Sequence, residues 1–204
     1  VVTRRSPRPR VGWWDAIVGP GAGPVENAGT VTLGVAGTVL APRLARGPSR
    51  PGPGARLVLR VLAADLWGGA WCNNTPAAAR WYGQEPRARH HLAFAAAHVH
   101  PFVVARLDAQ PRWDRALAQY AYLLAATAVL GQVGRPAQRV LALLTTAGGL
   151  ALDRWWGTTD AAPWFGTVYY VKLLAGHAGG AALLHPDPLA APKTRGGRPR
   201  RRRP

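Results

Sequence analysis

Sulfur, serine and acid are scarce in this chain. Cys72 is the only cysteine, which excludes intramolecular disulfides and every thiolate metal site needing two or more cysteines. Methionine is absent, and serine occurs only as Ser6 and Ser49, both in breaker-rich stretches. With no Gly-x-Ser-x-Gly elbow either, a serine hydrolase is not expected. The Gly-rich run Gly19–Pro24 lacks the Gly-Lys-Ser/Thr ending of a phosphate loop and reads as a linker. The compact HxxxH or HxxHH clusters of a histidine-box oxygenase or desaturase are missing too; the chain has only the His90-His91 pair and, later, His98-Val99-His100.

Asp and Glu number 9 against 26 Lys and Arg, a net charge of +17, and Lys172 and Lys193 are the only lysines. Such a balance invites a nucleic-acid partner. The arginines are scattered over tails and connections, however, without one basic face or interleaved stacking aromatics, so no specific nucleic-acid binding is expected.

Arg, Ala, Gly and Pro dominate the 204 residues. Mean hydropathy is near zero, but the average conceals a segregation. Polar and breaker residues gather in Val1–Pro24, in Pro42–Arg56 and in Pro186–Pro204, which ends in Arg200–Arg203. Between them lie six apolar segments: Glu26–Ala41, Leu57–Trp71, His91–Leu107, Ala116–Val133, Ala137–Leu152 and Trp164–Leu184. The expected organisation is a basic Pro/Gly-rich tail over 1–25, a helical domain over 26–185 and a disordered basic tail over 186–204.

The expected fold class is all-α, a polytopic transmembrane bundle of about six spans. Core helices of a soluble six-helix domain would have similar lengths, but three features favour the bilayer. Ala116–Val133 and Trp164–Leu184 lack the polar face of a surface helix. Aromatics cluster at segment ends, as at Trp13-Trp14, Trp81-Tyr82 and Trp155-Trp156. Small residues recur within segments, as at Gly68-Gly69, Gly148-Gly149 and the Gly176/Gly180 pair. With six spans, one side carries sixteen Lys and Arg against seven on the other, so both termini are expected in the cytoplasm of a multi-pass cell-membrane protein. The expected partners are the lipid bilayer and, through the basic C-terminal tail, anionic lipid headgroups. The basic start at Arg4–Arg10 is not followed by a compact apolar run, so no cleavable signal peptide is expected.

Ionisable residues inside apolar segments are costly there and mark function or helix pairing. Asp65 lies eight residues before Asn73, His98 eight after His90, and His177 eight before His185. On regular helices this places all three about 12 Å below one surface. Arg60 and Lys172 form a second level, five residues further along. Asp65, His98 and His177 are thus the candidate catalytic layer, with His98, His100 and His177 as candidate metal ligands and Asn73, Asn74, His90, His91 and His185 at the entrance. A transition metal is the cofactor such donors would take. His98 and His100 point to nearly opposite faces of a regular helix, but Pro101 can break it and bring both rings inward. Two functional classes follow: a small membrane enzyme or metal- or proton-handling protein, and a non-catalytic scaffold or transport component whose polar layer holds helices together, with Asp65 paired to Arg60 or Lys172. A transporter finds no support in any inverted repeat.

Overall fold

The computed structural model of the chain describes residues 12–46, 51–82 and 87–183. His185 and both basic termini, including Arg200–Arg203, lie outside these residues. The fold is all-α, with no strand among the described residues. The apolar segments become the long helices α2 (Pro24–Leu44), α3 (Pro53–Cys72), α7 (Trp113–Leu130) and α8 (Arg135–Trp155) and two interrupted ones. The first of these is α5 (Arg87–Ala97) followed by α6 (His100–Leu107); the second is α9 (Phe165–Tyr170) continued by a π-helical segment, Val171–Ala178. Two short helices, α1 (Trp13–Val18) and α4 (Pro76–Tyr82), lie outside those segments.

Among the described residues no helix is long and apolar enough to cross a membrane. Ala and Gly dilute the apolar character of the long helices, and Arg60 and Asp65 interrupt α3. What the sequence reads as six spans is therefore, in the structure, a set of helical elements, four of them 18 to 21 residues long.

Breaker residues start these helices. Pro24 and Pro53 occupy the first turns of α2 and α3 after extended Gly23 and Gly52, where the missing N–H costs no helical hydrogen bond. Glu26 accepts from the Gly23 N–H at 2.6 Å and, through its other oxygen, from the Ala77 N–H at 2.9 Å. The Glu26 side chain thus caps α2 and fastens α4 to it. Residues 12–23, basic-tail sequence by composition, are part of the packed body: Trp14 Nε1 donates to Asn27 Oδ1 at 2.7 Å, and Cys72 Sγ lies 3.2 Å from the Ile17 carbonyl.

α2 and α3 form a close antiparallel hairpin. A Cβ on Gly37 would come within 2.8 Å of the Ala63 carbonyl and the Trp67 ring, so the absence of a side chain permits the approach. The central element is α9 with its π-helical continuation, which touches α3, α4, α5, α7 and α8. Around it the core is built from Phe165, Tyr169, Tyr170, Leu173 and Leu174 against Leu59, Leu66 and Leu123.

Candidate metal centre

The break between α5 and α6 creates the site. α5 stops at Ala97 and α6 starts at His100 with Pro101 in its first turn, so His98 and Val99 turn the chain between them. The His98 and His100 rings, divergent on a regular helix, come to 5.1 Å between centroids. Carbonyls freed by the break find side-chain donors: Tyr120 Oη donates to Ala96 O at 2.7 Å, and Tyr169 Oη donates to His98 O at 3.0 Å. These tyrosines satisfy buried backbone acceptors that would otherwise cost stability.

Asp65 of α3 faces this turn. Ligand atoms of Asp65, His98 and His100 all lie within 4.8 Å of one another. His98 is buried, whereas the Asp65 side chain is 47 % exposed, so the cluster opens to one side. His98 Nδ1 is 2.7 Å from the Phe94 carbonyl. As a carbonyl can only accept, Nδ1 carries the proton and Nε2 is left with its lone pair, the arrangement by which metal-ligating histidines are oriented. His100 Nε2 is 3.4 Å from Asp65 Oδ2, while its Nδ1 is buried without a hydrogen-bond partner. Two imidazoles and one carboxylate, one of them already held by a backbone acceptor, form a donor set for a borderline divalent ion with open positions.

Lys172, buried at 4 % exposure in the π-helical segment, reaches Asp65 Oδ2 with Nζ at 2.6 Å. Gly69 makes room for it, since a Cβ there would meet Lys172 Cδ and Cε at 2.6 Å. Of the two cations considered for Asp65, Lys172 is therefore its partner and Arg60 lies exposed on α3. A carboxylate offers roughly four lone-pair positions, so the bond from Lys172 leaves acceptor capacity for a ligand.

His177 is placed elsewhere. The π-helical segment carries it, at 3 % exposure, into contact with His91, Phe94 and Tyr82, with ring centroids at 4.6, 3.8 and 4.6 Å. Of the layer Asp65, His98 and His177 read from depth, Asp65 and His98 converge with His100, while His177 packs against His91, with Phe94 touching both His98 and His177. The reason is local: the depth arithmetic assumes regular α-helix, and both segments carrying the histidines depart from it.

Asn73 and Asn74, expected at an entrance, are buried at 5 % and 1 %. They follow the end of α3, and their amides donate to the Lys172 carbonyl at 3.3 Å and the Val171 carbonyl at 3.2 Å. They therefore anchor the segment that presents Lys172. His90 is exposed and His91 buried near the start of α5.

A second buried polar group was not foreseen. Arg115 of α7 donates to Asp153 Oδ1 of α8 at 2.6 Å, Gln119 Nε2 donates to the same oxygen at 2.6 Å, and both charged side chains are 5–6 % exposed. Its only sequence signal is a carboxylate near the end of an apolar segment with a cation at the start of its neighbour. Asp108, in the connection after α6, accepts from the Ala161 N–H at 2.8 Å, and its partial burial raises its pKa above the ordinary value.

No protein-family model matches the chain, and neither a curated protein nor a solved structure matches it.

Proposed function

We propose that this protein is a membrane-embedded helical bundle that binds one divalent transition-metal ion through Asp65, His98 and His100. The observation that carries the metal reading is the convergence of these three donors within 4.8 Å, together with the His98 Nδ1 bond to Phe94 O and the unpartnered buried Nδ1 of His100. His98 and His100 supply imidazole nitrogens, Asp65 supplies a carboxylate oxygen on the open side, and Lys172 holds that carboxylate in place. The open side leaves coordination positions for water or a small substrate.

The membrane reading draws support from what faces outward. Val31, Val35 and Val39, spaced four apart on α2, are 51 %, 58 % and 47 % exposed. Leu57 and Val61 on α3, and Val140 and Leu144 on α8, repeat the pattern at 61–64 %. These apolar stripes face outward while the Arg115–Asp153 ion pair is buried beside the apolar core, a combination that a lipid-facing bundle accommodates. Arg60 carries a long apolar stem that can take its charge toward the interface. In this reading both termini are cytoplasmic, and the basic C-terminal tail meets anionic headgroups.

The 2.6 Å contact of Lys172 with Asp65 favours a second reading, in which the cluster is an ion pair that holds α3 to the central helix. Metal content of the detergent-purified full chain, with Asp65→Asn and His98→Gln beside it, separates the two. The metal reading expects a stoichiometric ion at this centre in the wild type that both variants lose, with His98→Gln keeping its melting temperature and Asp65→Asn losing stability because it strands buried Lys172. A metal-free wild type, with stability lost in Asp65→Asn, would establish the ion-pair reading instead.

A further inference from the structure

His177 is the least satisfied polar side chain among the described residues. It is 3 % exposed, and neither Nδ1 nor Nε2 has a hydrogen-bond partner. A neutral imidazole carries one donor and one acceptor, and leaving a buried polar atom unpaired costs about 1–3 kcal/mol. Native structures tolerate few such groups without a ligand, an ion or a function to account for them.

Its neighbours suggest the ligand. His91 lies 4.6 Å from it and His90 lies 6.1 Å from it between ring centroids, with His90 and His91 6.2 Å apart. A metal–nitrogen bond of about 2.1 Å puts an ion about 3 Å from each ring centre, so imidazoles sharing a tetrahedral ion stand about 5 Å apart. The observed separations bracket that value. The ring nitrogens are not drawn together as those of the first centre are, but His90 is exposed at the start of α5 and can close the set by side-chain rotation. The Phe94 ring touches both histidines, 3.8 Å from His177 and 4.4 Å from His98, so the two clusters are neighbours with different donor sets.

We infer that His90, His91 and His177 form a second metal site, for a borderline transition-metal cation held by imidazole nitrogens. Such a set suits zinc(II) or cobalt(II) and disfavours magnesium or calcium, which prefer oxygen donors. Exposed His90 gives the ion its way in, and buried His177 supplies ring nitrogens that have no hydrogen-bond partner. This site does not require that the Asp65 centre load.

Cobalt(II) titration of the full chain, purified in detergent through a tag without histidine and followed by visible absorption, tests it. His98→Gln combined with His100→Gln removes the first centre and leaves the Lys172–Asp65 pair in place. In that background one cobalt(II) should still bind, and adding His90→Ala, a surface change that cannot unfold the core, should weaken it at least tenfold. Even an outer-shell partner is worth roughly 10–100-fold in metal affinity. His177→Gln should abolish the remaining binding, with a retained thermal transition as the check on folding. Loss of all cobalt in the His98→Gln, His100→Gln background would overturn the second site and leave the first intact. Retained cobalt indifferent to His90→Ala would also overturn it. Binding that survives the first pair of substitutions but not His90→Ala, in a wild type holding a single ion, would support this site and refute the Asp65 centre. A wild type that binds none would refute both.

Discussion

Asp65 and Lys172 illustrate how a single residue without a side chain sets the site. Lys172 crosses from the central helix to Asp65 only because Gly69 leaves a gap on α3, and the lysine stem fills it. Gly69→Ala would place a methyl against buried carbons, and overpacking of this kind typically costs about 1–3 kcal/mol. The expected result is a lowered melting temperature in detergent, with the loss reduced when Lys172→Ala is added to make space. An unchanged melting temperature in the single variant would mean that Lys172 has another route. The Gly68-Gly69 pair was legible in the sequence as a small-residue contact between helices. Lys172 was one of two cations the sequence offered Asp65, but that it and not Arg60 reaches the carboxylate, across Gly69, was not legible, because the two lie 107 residues apart.

Among the elements, the two irregular ones decide the chemistry. Pro101 is visible in the sequence and announces a break, and the break rotates His98 and His100 onto one side. The π-helical segment has no comparable signal. Such segments are uncommon, and their i to i+5 hydrogen bonding brings residues five apart, as Lys172 and His177 are, nearer to one face than an α-helix would. Asn74 stabilises this geometry by donating to Val171 O at 3.2 Å as well as to Ala70 O at 2.9 Å. Asn74→Ala leaves buried carbonyls short of a donor at about 1–3 kcal/mol. Hydrogen exchange should then show faster opening over 171–178 than over α7; equal protection in variant and wild type would refute the anchoring role.

At the scale of the whole molecule, the outward valines distinguish lipid from water. Val35 is 58 % exposed midway along α2. In a bilayer, Val35→Lys would add about 2.5–3.5 kcal/mol of insertion cost at the centre of a span. Facing water, the same change would fall within about 0.5 kcal/mol of neutral. A marked fall in membrane-inserted protein is the expected outcome, measured by carbonate extraction of cells expressing each form. A variant that behaves as the wild type, or a wild type that is monodisperse without detergent, would remove the bilayer from the proposal.

Local chemistry was enough to determine the four long helices. Apolar segments bounded by proline and glycine became α2, α3, α7 and α8 within a few residues of their expected limits, because helix starts and stops depend on the residues beside them. Sequence also identified Asp65, His98, His100 and His177 as polar groups with no cheap place in an apolar segment. Which of them meet was decided only by the tertiary structure. Depth along an ideal helix places residues by a constant rise and period, and that rule fails where the chain breaks at His98–Val99 and where it widens into the π-helical segment. Those two departures draw His100 toward Asp65 and carry His177 to His91, and both are held by distant partners, Tyr169 for the first and Asn74 for the second, whose contacts exist only once the helices have packed.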